Sequence, residues 1–274
     1  MKNAFYPLLL ALLIVAGACN RPSGQPQDMV PGFLVSFPEE LTAQAQDGRL
    51  LLMLSRNADS EPRFQIGDGP KTQLVFGLDV EGMQPGQEVA VGGDAFGYPV
   101  ENLADLPAGE YYVQALLNRY ETFNLATGHT VKLPPDRGEG QQWNRKPGNF
   151  FSKPVKVTIN PEKPGAVKVQ MTEEIPPVKE PEDTKYIKHI KMKSERLSKF
   201  WGRDVYLGAH VLVPEGFDEH PEARYPLVIF HGHFPLDFGG FRTTPPDPDM
   251  EPDFSKRFNV EGYNIIQQQE AYDF

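Results

Sequence analysis

The chain of 274 residues contains one cysteine, Cys19, so no disulfide can form within it and packing and hydrogen bonds must hold whatever fold it adopts. Positive charge is also scarce. The 27 Lys and Arg stand against 37 Asp and Glu, a formal net charge of −10. That balance argues against nucleic acid and against anionic membrane surfaces as partners, because both are bound through clustered cations. Neither a Walker sequence nor a Gly-x-Gly-x-x-Gly occurs, so no nucleotide is indicated and no cofactor is expected. The apolar run near the N-terminus, Ala4 to Val15, is 12 residues long, well short of the roughly 20 that cross a bilayer as a helix.

What is present at that end is a targeting signal. Met1-Lys-Asn, the short apolar run and then Ala16-Gly-Ala-Cys19 have the parts of a signal peptide. Ala-Gly-Ala-Cys resembles the lipobox at which bacterial lipoproteins are cleaved, with Ala16 where leucine is commoner. An ordinary secretory signal is the other reading. The lipobox is preferred because Cys19 has no other cysteine to pair with, whereas acylation gives it a role. Several acyl chains on Cys19 anchor stably where one binds only marginally. The expected partner is therefore a membrane, reached through an N-terminal lipid. The expected location is the bacterial cell envelope, lipid-anchored and extracytoplasmic. Asn20 replaces the aspartate that retains many lipoproteins at the inner membrane, which leans towards the outer one. Residues 1–18 are thus read as signal peptide and 19–31 as a Pro/Gln/Ser tether.

Residues 32–171 carry an all-β pattern. Seven candidate strands are Phe33–Phe37, Arg49–Ser55, Gln73–Val80, Glu88–Val91, Glu110–Leu117, Lys153–Ile159 and Ala166–Met171. Turn clusters such as Gln84-Pro-Gly and Leu106-Pro-Ala-Gly punctuate them, which predicts an immunoglobulin-like sandwich. The strand from Glu110 is apolar on both sides and should be central. The last two strands, with valines on one side and lysines on the other, predict a hairpin. Proline, 27 of 274 residues, is about twice its usual share, in keeping with many turns. The long segment Leu133 to Gly148 contains Trp143 and precedes Phe150-Phe151. With Tyr98, these rings could form a platform for sugars or aryl groups; pinning the loop to the core is the preferred reading.

Residues 172–184, rich in Pro and charge, read as a linker. Beyond it, Tyr186 to Trp201 fits both helical spacing and a lysine-protected edge strand. Arg203 to Pro214 has strand spacing, and Glu215 to Arg224 is a polar connector containing Gly216. Tyr225-Pro-Leu-Val-Ile-Phe-His-Gly-His-Phe-Pro235 then reads as a buried parallel strand entering a glycine turn. A generic α/β strand-turn would also explain those eleven residues alone.

Residues 185 to 240 resemble the esterases of the α/β-hydrolase fold that include the enterochelin and feruloyl types. The shared features are an extended segment ending in Val-Pro-Glu-Gly-Phe217, then a Tyr-Pro-led apolar strand ending in His-Gly. The resemblance favours a strand over Tyr186–Lys193, a short turn through Ser194–Lys199 and a second strand. It implies a doubly wound α/β domain over residues 185–274 and hydrolysis of a small-molecule carboxylic ester by a Ser-His-acid triad. Carried onto this chain it assigns Gly232, His233 and Phe234 to the loop whose backbone N–H stabilises an oxyanion. The triad has no counterpart. None of the eight serines (23, 36, 55, 60, 152, 194, 198 and 255) sits in a Gly-x-Ser-x-Gly elbow. The expected function is thus a cell-envelope lipoprotein resembling an esterase but catalytically incompetent, with an ester substrate only if a further C-terminal part exists. The alternative is a non-catalytic surface lipoprotein that binds a partner or glycan through its sandwich.

Phe258 to Phe274 has helical spacing but no terminal glycine, basic last turn or proline. Together with the few strands available, this suggests an α/β domain cut short; a complete small domain is the other reading. No metal is expected. His231-x-His233 with Asp237 lacks the His-x-His-x-Asp-His order of a binuclear site. Asp247, Asp249, Glu251 and Asp253 alternate with prolines and read as a solvated acidic loop rather than a calcium loop. The anchor is directly testable. Cys19→Ala should move the protein from the membrane fraction to the soluble one, and a variant that still partitions to membranes removes the lipoprotein reading.

Overall fold

The computed structural model describes residues 32–160, 165–232, 238 and 240–273. The predicted signal, tether and acylated Cys19 lie outside these residues. Among these residues the fold is mostly β, with two α-helices. In chain order the first strands are β1 (Gly32–Ser36), β2 (Gln46–Ser55), β3 (Leu74–Met83), β4 (Val89–Val91), β5 (Phe96–Tyr98) and β6 (Gly109–Arg119). Then come β7 (Glu121–Asn124), β8 (Thr130–Leu133), β9 (Phe150–Phe151), β10 (Val155–Ile159), β11 (Ala166–Gln170) and β12 (Glu173–Glu174). A sheet ordered β11-β1-β4 faces a larger one ordered β12-β9-β6-β2-β3-β5, with β10 also on β6. Phe33, Val35, Val91 and Val169 of the small sheet pack with Leu50, Leu52, Leu54, Phe76, Val113 and Leu117 of the large one in a single core. This two-sheet arrangement is compatible with a β-sandwich.

All seven predicted strands form, with ends shifted by up to three residues. The strand from Glu110 is central, as its two apolar sides require. Val113, Ala115 and Leu117 enter the main core, while Leu116 joins Met53 and Ile175 in a second cluster on the outer face. The predicted hairpin is wrong. β10 pairs antiparallel with β6, whereas β11 pairs parallel with β1. Each strand satisfies an open edge of a different sheet, and the lysines that suggested one shared face lie on two. Lys156 meets Glu110 at 3.0 Å, and Lys168 meets Glu88 at 2.6 Å.

β9 and β10 lie in line along the same edge of β6, interrupted at Ser152. Pro154 has no N–H to give a ladder there. Ser152 bridges the gap. Its N–H donates to the Ala115 carbonyl at 2.9 Å and its hydroxyl accepts from the Ala115 N–H at 3.0 Å. The strands not anticipated, β5, β7, β8, β9 and β12, have at most four residues each, too few to show a period.

Beyond the linker, β13 (Ile187–Lys193) and β14 (Tyr206–Leu212) form an antiparallel pair, and α1 (Glu195–Trp201) joins them. The strand reading of Tyr186–Lys193 therefore holds, while the expected short turn is a seven-residue helix. Ser194 caps α1 by accepting the Leu197 N–H, and Gly202 ends it with φ 65°. A Cβ on Gly202 would lie 2.8 Å from the Asn124 carbonyl oxygen, so glycine also permits the helix to dock. That dock is aromatic and charged. Trp201 meets Phe123 edge-on at 5.4 Å, and Arg203 reaches Glu121 at 2.8 Å.

The doubly wound α/β arrangement is not shown among the described residues. The run expected to be a buried strand has no secondary structure and is exposed: Leu227 78%, Val228 89%, Ile229 79% and Phe230 81%. A strand is buried by neighbours on its edges and layers on its faces, and among the described residues this run has neither. The final helix, α2 (Tyr263–Asp273), begins five residues later than expected, after the small pair β15 (Phe254–Ser255) and β16 (Val260–Glu261). Asn259 and Gly262, both at positive φ, fold residues 258–262 back instead of into the helix.

One contact fixes the start of β6. The Tyr111 hydroxyl donates to the Pro107 carbonyl at 2.9 Å and accepts from Arg56 at 2.8 Å, while its ring is 2% exposed. Tyr111→Phe should cost about 0.5–1.5 kcal/mol, because the part-buried bond to the Pro107 carbonyl and the acceptor for Arg56 are both lost. Urea unfolding would measure this, and a loss below about 0.5 kcal/mol would show that the hydroxyl holds nothing.

Candidate functional site

Of the predicted oxyanion loop, Gly232 is described and half-buried, whereas His233, Phe234 and the candidate metal ligand Asp237 lie outside the described residues. The glycine follows the exposed run directly. Two shallow apolar grooves of about 480 and 610 Å³ flank the run's start, sharing Leu212, Val213, Pro214, Tyr225 and Pro226. Tyr186 and Phe241 pack at 5.4 Å beside the first groove, and Phe217 and Tyr225 at 5.9 Å beside the second.

No serine is poised as a nucleophile among the described residues. Ser55 is buried and bonds Asn57 and Gln65, Ser152 patches the β6 edge, Ser194 caps α1, and Ser198 accepts the Val205 N–H. None hydrogen-bonds a histidine. The structure does bring together a histidine and a carboxylate that their separation in sequence concealed. His189 Nδ1 lies 3.0 Å from Asp183 Oδ1, and the rings of His189 and His210 meet edge-on at 4.7 Å across the β13–β14 pair. The His189 backbone N–H, followed by its ring, holds the Asp183 carboxyl below its ordinary pKa. With Thr184 capping the Ile187 N–H, the pair fastens the linker to β13. The histidine and carboxylate are paired, but among the described residues no hydroxyl or thiol is hydrogen-bonded to the His189 ring.

The segment from Leu133 to Gly148 is pinned to the outer face of the large sheet. Trp143 packs in the cluster of Met53, Leu116 and Ile175, as the pinning reading required. Arg63 stacks 4.0 Å over Phe151 and donates to the Asn144 carbonyl, and Asn149 donates to the Trp143 carbonyl. Lys146, only 3% exposed, donates to the Arg119 carbonyl at 3.0 Å. Burial first, then the charge of Arg137, brings its amine down to about 8. Glu139 keeps one buried oxygen without a protein partner. This network anchors the loop with charges taken out of water, and sequence patterning gave no sign of it because its members are spread from Arg119 to Glu174.

Tyr98 is placed elsewhere. It and Phe96 point outward from β5, at the opposite edge of the sheet from β12, and are 47% and 70% exposed. Beside them, Arg49 pairs with Asp79 at 3.1 Å.

Among the described residues no three His, Cys, Asp or Glu side chains form a metal-holding group, and no helix is long and apolar enough to cross a membrane. No protein-family model, curated protein or solved structure matches the chain.

The Lys146 amine makes stability depend on pH. Between about pH 8 and the ordinary lysine range the unfolded chain holds a proton there that the folded chain has released, so stability rises with pH across that interval. Lys146→Met should flatten this rise in urea titrations between pH 7 and 10; an unchanged slope would assign the titration to another group.

Proposed function

We propose that this is a lipid-anchored protein of the bacterial cell envelope, in which an immunoglobulin-like sandwich precedes the opening of an esterase-type α/β-hydrolase domain. Residues 1–274 contain the oxyanion turn of that domain and no nucleophile, so by themselves they do not turn over esters. The observation that carries the reading is the order β13, β14, a Pro214-Glu-Gly216 turn with Gly216 at φ 74°, and then an apolar run ending in His231-Gly232. The run has the composition of an interior strand but exposes four large apolar side chains. Burying each would contribute about 1.5–3 kcal/mol, so the segment suits a sheet larger than the β13–β14 pair. The sandwich half of the proposal is supported by the shared core of the two sheets. It is also supported by Tyr111, whose hydroxyl bonds four residues back as in the tyrosine corner of immunoglobulin-like domains.

A specific observation favours a second reading, in which the sandwich binds a glycan and residues 185–274 play no catalytic part. The rings of Phe96 and Tyr98 face solvent on the outer sheet although most of that face is covered.

The chain should not be labelled by a serine-directed fluorophosphonate probe, and stoichiometric labelling would overturn the claim that it lacks a nucleophile. The coding DNA past Phe274, read in all frames, tests the esterase assignment. A Gly-x-Ser-x-Gly followed by an acidic residue and a histidine supports it, and the absence of such a frame removes it.

A further inference from the structure

We infer that the β5 edge of the large sheet is a binding site for a neutral sugar, with Phe96 and Tyr98 as stacking surfaces and Arg49 and Asp79 as its polar edge. The inference deepens the glycan-binding reading and rests on it.

The register puts these groups together. Phe96 pairs with Gly77 and Tyr98 with Val75, so both rings project on the outer face, while Gly97 between them turns inward against Phe76. A Cβ on Gly97 would lie 2.5 Å from the Phe76 ring, so the close inner contact allows no side chain there. Two residues apart on one strand, the outward side chains are spaced by about 7 Å. Gly77 leaves the floor beside Phe96 without a side chain, and the Arg49 guanidinium lies across it, donating to the Gly77 carbonyl at 3.3 Å. Arg49 also holds Asp79, whose side chain remains 64% exposed.

The chemistry of the patch selects the ligand. A pyranose has an apolar C–H face, which suits an aromatic ring, and hydroxyl edges that both donate and accept. Asp79 offers acceptors, Arg49 offers donors, and the ion pair leaves the patch without a strong net charge. An acidic polysaccharide would also meet a chain of net charge −10. A protein partner or second copy fits less well, because a stable interface covers about 800 Å² on each side. Two rings on a three-residue edge strand fall far below that.

The test is native affinity electrophoresis of the full chain in detergent through gels containing xyloglucan, mixed-linkage β-glucan, glucomannan, starch or polygalacturonate. The wild type should be retarded by at least one neutral polymer and not by polygalacturonate. Phe96→Ala with Tyr98→Ala should weaken retention about tenfold or more, since each ring contributes on the order of 1 kcal/mol. Both side chains are largely exposed, so thermal unfolding should be little changed. If that variant fails to fold, Asp79→Asn alone should still reduce retention, and unchanged retention would overturn the site. Unchanged retention in a folded double variant refutes this site while leaving glycan binding intact. No retardation by any neutral polymer refutes both. Retardation by polygalacturonate alone, or a dimer in sedimentation that the double variant abolishes, overturns the neutral-sugar assignment.

Discussion

Strand β6 is paired on one edge by β2 from Tyr112 to Arg119 and on the other by β10 over Gly109–Val113 and by β9 at Leu116 and Leu117, and both faces of its middle are buried. The rest of the two sheets is arranged around satisfying it. Its inward residues Val113, Ala115 and Leu117 anchor the core shared with the small sheet. Its outward Leu116 and Gln114 are just as buried, and Gln114 meets Glu61, Ser152 and Arg63 through its amide. A buried amide with unmet partners would cost more than the packing around it supplies, so the segments that carry those partners must close over the sheet.

The run Leu227–Phe230 shows the same requirement unmet. In composition it equals β6 or β2 as a strand, yet no strand bonds its backbone and no layer covers its sides among the described residues. Apolar composition favours burial but cannot supply the hydrogen-bonding edges that make a strand. Those edges come from other parts of a sheet. The contrast explains why the esterase proposal is argued from element order and turn chemistry and not from an assembled site.

Polar and aromatic groups from distant parts of the chain settle the remaining geometry. Lys146, Arg119 and Asn149 hold the long loop by bonding carbonyls and amides that the sheet's end leaves open. Trp201, Phe123 and the Arg203–Glu121 pair attach α1 to the β7–β8 hairpin, so the helix beyond the linker is tied to a strand pair that precedes it. The aromatic segment around Trp143 was legible as an anchor. Its separation from Tyr98 was not, because sequence shows that both are aromatic without showing which face of which strand each occupies.

The sequence by itself determined the seven main strands, the central place of the strand from Glu110, and the lack of a nucleophile elbow. Each follows from local patterning or from residue identity. Alternation with period two sets which side chains share a face, and no fold can supply a missing Gly-x-Ser-x-Gly. Only the tertiary structure decided that β10 and β11 part to different sheets, that His189 meets Asp183, and that Phe96 and Tyr98 stand exposed beside Arg49 and Asp79. Those outcomes depend on which open edge each strand reaches. Pairing partners are chosen by long-range closure of the sheet, which the local pattern of a strand does not encode.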